Sequence, residues 1–164
     1  MTTTTMRSPA AETRHLDGAP RIVVGVDGSE QSLHALRWAV QRARVSGEVV
    51  EPVYVFTTVA PVDFSGFAGP LPVQPSPEEL AAAADTRLAD GVATVVEDRD
   101  QVAIEPRVLD APSPVAALVK EATGASMLVL GVHRRHWMDG AIGSTARACL
   151  KHAPCPVVVV PAPG

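Results

Sequence analysis

Aromatic side chains are scarce in this 164-residue chain, at 4%, so valine, alanine and leucine must supply any core. Charge of neither sign dominates. Fourteen Lys and Arg stand against 18 Asp and Glu, a formal net charge of −4. With no basic run beyond Arg134–Arg135, that balance excludes broad electrostatic capture of nucleic acid or anionic membrane. Two cysteines are too few for a disulfide scaffold. No stretch reaches the roughly 20 consecutive apolar residues of a membrane-spanning helix. Residues 1–20 are rich in Ser, Thr, Ala and Pro and lack the apolar centre of a secretory signal. They are expected to form a disordered leader to a cytoplasmic protein, with one domain over 21–161 and a tail at 162–164.

What the chain does have is alternation. "RIVVGVDGS" (21–29) is a short apolar run closed by turn residues, as in a buried parallel strand. From Ser29 the period becomes helical, with Leu33, Leu36 and Val40 on one face until Gly47 stops the helix. "VVEPVYVFTTV" (49–59) predicts a second strand, whose first residues Pro52 places at the sheet margin. Residues 60–75, rich in proline and glycine, predict an irregular loop. "SPEE" at 76–79 predicts a capped helix start, followed by a stripe of Leu80, Ala84, Leu88, Val92 and Val95.

The pattern then repeats. "VAIEPRVL" (102–109) predicts a third strand, against which Pro106 is a mild objection. Ser113-Pro114 opens a helix that turns Val115, Leu118, Val119 and Ala122 inward, with Gly124 as the stop. "SMLVLGV" (126–132) predicts a fourth strand. Gly143-Ser144-Thr145 opens the last helix, with Ala146, Cys149 and Leu150 on one side, and "CPVVVVP" (155–161) is the fifth strand. Strands alternating with helices predict an α/β fold, an open parallel sheet with helices on both faces.

Ligands of such sheets bind beyond the carboxyl ends of the strands, where strand order reverses. Two strand ends carry unusual chemistry: "VDGS" after the first and "GVHRRHWMDGAIGST" after the fourth. A helix start at Gly143-Ser144-Thr145 offers free N–H groups and two hydroxyls to an anion. The same letters also suit an ordinary helix cap, as does Asp27 before the first helix. Neither the P-loop pattern nor Gly-x-Gly-x-x-Gly after the first strand is present. Cys149, His152 and Cys155 have ligand-like spacing, but Pro154 and Pro156 break the local geometry and structural zinc takes four ligands, so no metal is expected. No nucleophile elbow places a catalytic Ser.

Three stretches, "IVVGVDGS", "APSPVAALVKEA" and "LVLGVHRRHWMDGAIGSTARACLKHAPCPVVVV", resemble the universal stress protein family across residues 21–161. The resemblance implies a five-stranded parallel, Rossmann-like sheet of order 3-2-1-4-5, of the adenine nucleotide alpha hydrolase-like kind. It also implies a homodimer through the last strand, here Val157–Val160. One branch of the family binds ATP or AMP, with Mg accompanying ATP, and some members hydrolyse ATP slowly, so the resemblance implies at most a slow ATPase. By that resemblance Asp27, beside Ser29, contacts adenosine, the backbone near Val55 contacts adenine, and Gly131, Gly140, Gly143, Ser144 and Thr145 hold ribose and phosphates.

The binding branch carries Gly-x2-Gly-x9-Gly-Ser/Thr. Counted from Gly131, its second glycine falls on Arg134 and its third on position 144, one residue after Gly143. The usual Gly-x-Pro before the third helix reads Pro112-Ser113-Pro114. Arg134 or Arg135 either grips phosphate by charge or fills the pocket. Two functions follow. One is a stress-response regulator whose bound adenine nucleotide shifts dimer or partner contacts. The other is a ligand-free dimer that uses the altered loop and Trp137 to meet an unknown protein partner.

Overall fold

Each apolar run of the sequence becomes a strand, and each amphipathic stretch between them a helix. The computed structural model describes residues 19–58, 75–97, 101–133 and 142–163. In chain order the elements are β1 (Arg21–Gly25), α1 (Glu30–Ser46), β2 (Val49–Phe56), α2 (Pro77–Val95), β3 (Arg107–Asp110), α3 (Pro114–Glu121), β4 (Met127–His133), α4 (Ser144–His152) and β5 (Val157–Ala162). The strands form one five-stranded sheet of order β3-β2-β1-β4-β5, every pair parallel, as the resemblance implied. Most of the expected leader and of the expected loop at 60–75 lies outside the described residues.

Side chains of a strand alternate between faces, so the sheet sorts its residues into two cores. Ile22, Val24, Val50, Tyr54 and Val129 pack with α1 and α2. Val23, Val53, Leu128 and Leu130 pack beneath α3 and α4. Ile22, Leu36 and Leu128 are fully buried, each contributing on the order of 2 kcal/mol by leaving water. Trp38 is half-buried against the first core.

Helix ends follow the local sequence. The Ser29 hydroxyl accepts the Ser32 N–H and caps α1, and Gly47, at φ 74°, closes it. Ser76 and Glu79 exchange side-chain and backbone bonds as a capping box, with Pro77 in the first turn of α2. The Ser113 hydroxyl accepts the Ala116 N–H and caps α3, with Pro114 in its first turn.

Three expectations need correction. The first residues of the second strand do not lie at a margin: Val49 to Glu51 are buried and register with Arg21 to Val23 of β1, and Pro52 is fully buried opposite Val24. Alternate residues of a strand aim their backbone groups at opposite neighbours. Val50 exchanges bonds with Ala103 and Glu105, so Pro52, two residues on, turns its missing N–H toward the β3 side. The ladder is interrupted there. The expected third strand is therefore shorter, reduced to a single bridge at Ile104 and regular pairing from Arg107. Leu150, expected on one side of the last helix with Ala146 and Cys149, is 46% exposed while those two are buried.

One buried charge pair crosses the second core. Arg21 of β1 donates to Glu51 of β2 at 3.1 Å, and to the carbonyls of Glu121 and Thr123 at 2.8 Å each. It thereby ties the closing end of α3 to the sheet.

Candidate functional site

β1 and β4 lie side by side at the centre of the sheet, and successive strands fan out in opposite directions from them. This is the switch point where open α/β sheets leave a crevice at the strands' carboxyl ends. The crevice is present as a cleft of about 220 Å³. Gly25, Asp27, Ser29 and Ser32 form one side of it, and Val53 and Val55 of β2 a second. Pro114 and Leu118 of α3 close a third, and Leu130, Gly131, Thr145 and Ala146 complete it.

The β1–α1 connection is shaped by its own short sequence. Gly28 has φ +82°, a left-handed conformation that a residue with a Cβ adopts at a cost. The turn lets the Asp27 carboxylate accept the Ser29 N–H at 2.9 Å. Ser32 knits the turn to the helix, its hydroxyl accepting the Asp27 N–H at 3.3 Å and donating to the Ser29 carbonyl at 2.9 Å. Partial burial pushes the Asp27 carboxyl up, but hydrogen bonding from Ser29 and Ser32 outweighs it and holds the group below its usual range. Asp27 is thus a fixed carboxylate at the mouth of the cleft, suited to accept hydrogen bonds from hydroxyl or amine groups.

At the far side α4 begins without a side-chain cap, since Gly143 offers none. The first N–H groups of a helix have no intrahelical partner and carry partial positive charge. Thr145 and Ala146, in that first turn, line the cleft. On the other side of β1 from β4, β2 brings the apolar side chains of Val53 and Val55, and Leu118 and Leu130 add to the apolar lining. A ligand with a flat apolar body, a polar sugar-like middle and an anionic end matches this order.

Gly131 joins β4 to the opening turn of α1. A Cβ built there would stand 2.0 Å from the Gln31 carbonyl oxygen and 2.8 Å from the Ser32 nitrogen. The side chain of Gln31 also meets His133 Nδ1 at 2.9 Å. The first glycine of the loop motif is therefore demanded by helix packing, before any ligand is considered.

Of the site residues expected from sequence, Asp27, Ser29, Val55, Gly131 and Thr145 meet in the cleft. Gly143 and Ser144 are exposed at the start of α4, beside the cleft wall but outside its lining. Arg134 and Gly140, like Trp137, lie outside the described residues. Sequence reasoning missed Ser32, whose spacing from Asp27 and Ser29 is the signal that could have found it. It also missed Pro114, Leu118 and Leu130.

Comparison with known proteins agrees with this geometry. The model of the universal stress protein family matches residues 19–161. The chain belongs to that family. Universal stress protein PHOS32 of Arabidopsis thaliana is 30% identical over 165 residues, covering 85% of this chain and 64% of its own length. A universal stress protein of Mycobacterium tuberculosis is 32% identical over 144 residues, covering 86% of this chain and 48% of its own length. The chain thus spans about half to two thirds of these relatives. A crystal structure from the family, from Burkholderia pseudomallei, is 29% identical, with a TM-score of 0.60 over 87% of this chain and 96% of that one. The same fold is shared by a universal stress protein in complex with cAMP, at 22% identity and a TM-score of 0.61 over 88% of this chain and 98% of that one.

Proposed function

We propose that this universal stress protein binds an adenine nucleotide, AMP or ATP, and acts in the cytoplasm as a homodimeric stress regulator. The observation that carries the reading is the convergence of Asp27, Val55 and Thr145, from three separate parts of the chain, on one cleft at the switch point. Proteins of this fold have been solved with cAMP, dAMP and AMP bound, which supports the same ligand class here. In this reading the base lies against Val53, Val55 and Leu118, and the sugar hydroxyls donate to Asp27. The phosphate faces the opening turn of α4 at Thr145, next to Gly143 and Ser144. Arg134 and Gly140 complete the proposed set, and Mg accompanies the phosphates when the ligand is ATP.

The dimer would form along β5, the edge strand of the sheet, over Val157–Val160. An edge strand carries unpaired backbone groups that a second copy can complete. Nucleotide occupancy would then bias the contacts the dimer makes with a protein partner.

The test is thermal unfolding with and without nucleotide. A ligand that binds only the folded chain at a hundred times its Kd stabilises it by about 2.7 kcal/mol. AMP, ATP or cAMP is expected to raise the melting temperature by several degrees. No shift at millimolar concentration of all three overturns the reading. Mass spectrometry of gently purified protein would identify the nucleotide directly.

A further inference from the structure

β2 and β3 pair in regular register up to Val55 with Leu109 and Phe56 with Asp110. Beyond that point side chains take over. The Ala111 N–H donates to the Phe56 carbonyl at 2.9 Å, and the Thr57 hydroxyl donates to the Ala111 carbonyl at 2.7 Å. The Asp110 carboxylate then accepts both the Thr58 N–H, at 3.1 Å, and the Thr58 hydroxyl, at 2.8 Å. Bonds to an ionised acceptor are the stronger kind, and here two converge on one residue.

The clamp has a location that matters. β1 ends at Gly25, opposite Val53, whose carbonyl accepts the Val26 N–H. Backbone groups alternate along a strand, so Val55 aims its own toward the side that β1 has already left. That side is the cleft, and Val55 lines it. The backbone from Val55 to Thr57 therefore offers a polar edge to a ligand. Regular pairing with β3 ends at Phe56, and the grip on Thr57 and Thr58 carries the hold on that edge past the last paired residue.

We propose that Asp110 is a positioning residue that sets base selectivity, holding Thr58 so that the backbone after Val55 reads the edge of a purine. The inference rests on the nucleotide reading above and deepens it. Asp110 is not among the residues that line the cleft, so its effect passes through the strand end. The geometry also separates two ends of the site: Asp110 governs the base end, whereas the start of α4 serves the phosphate.

The experiment is calorimetric titration of the full chain with AMP and with inosine monophosphate, which differ at the base edge alone. The wild-type chain is expected to prefer AMP. Asp110→Ala is expected to reduce that preference about tenfold, with AMP affinity falling and inosine monophosphate affinity changing less than about twofold. Asp110→Asn keeps a carbonyl acceptor and is expected to retain most of the preference. Thr58→Val loses the hydroxyl but keeps the N–H, and is expected to fall between them. If the alanine variant fails to fold, the other two variants carry the same comparison. Equal losses for the two nucleotides, or a preference unmoved in the variants that fold, overturns the proposal while leaving nucleotide binding intact. So does a wild-type chain that binds both nucleotides alike. Binding of neither by the wild type overturns the nucleotide reading, and this proposal with it.

Discussion

A methyl group on residue 131 would stand 2.0 Å from the carbonyl oxygen of Gln31 and 2.3 Å from its carbon, with backbone on both sides of the conflict. Neither side can turn a rotamer to relieve it. Gly131→Ala is expected to cost about 2 kcal/mol or more in urea unfolding without ligand, a loss that nucleotide contact cannot explain. Asp27 makes the second residue-scale prediction. Its folded pKa lies below the ordinary value, so its stabilisation is present above the unfolded pKa and is lost as pH falls through the folded one. The stability gap between wild type and Asp27→Asn should be widest above about pH 4 and should close below it. Asp27 was legible in the sequence because "VDGS" is a local signal. Leu118 and Leu130 were not, because a leucine that walls a cleft is spelled like one that fills a core.

At the scale of elements, helix starts were the most readable feature. Ser76-Pro77-Glu78-Glu79 contains its whole capping box within four letters, and the structure forms it in full. Pro52 was misread because its effect depends on which neighbour its absent N–H faces, and that direction is not written locally. Long-range ties are likewise invisible in a single sequence. Arg21, Glu51 and the end of α3 come together only through the fold.

That tie makes a prediction of its own. Burial pushes the Glu51 carboxyl up. Arg21 and Arg107 pull it down, Glu121 pushes it further up, and the net shift is upward. A carboxyl raised on folding favours the folded state fully below its unfolded pKa and loses that contribution as pH climbs through the folded value. Denaturation midpoints of Glu51→Gln and wild type should therefore diverge in the variant's favour as pH rises from about 4.5 toward neutrality.

For the whole molecule, strand order and the two-sided sheet were anticipated from alternation together with family resemblance, and the structure has both. The position of the cleft followed from the same order, since the switch point is a property of topology. Assembly is the part left to measurement. Lysine on an edge strand discourages a second strand from pairing with it. Val159→Lys is expected to shift the proposed dimer to monomer in light scattering at micromolar concentration. A dimer that persists with unchanged affinity would place the interface elsewhere.

The interruption at Pro52 has a consequence for how the sheet breathes. β3 hangs from β2 by an isolated bridge at Ile104, four paired residues and the Asp110 grip, with a bare rung between. An edge so hung can open without disturbing β1 or β4, and it frees only Ile104, Val108 and Leu109 from the margins of the two cores. Amide protons of Arg107 to Asp110 should accordingly exchange with deuterated solvent well before those of Ile22 to Val24, and by a route that does not pass through global unfolding.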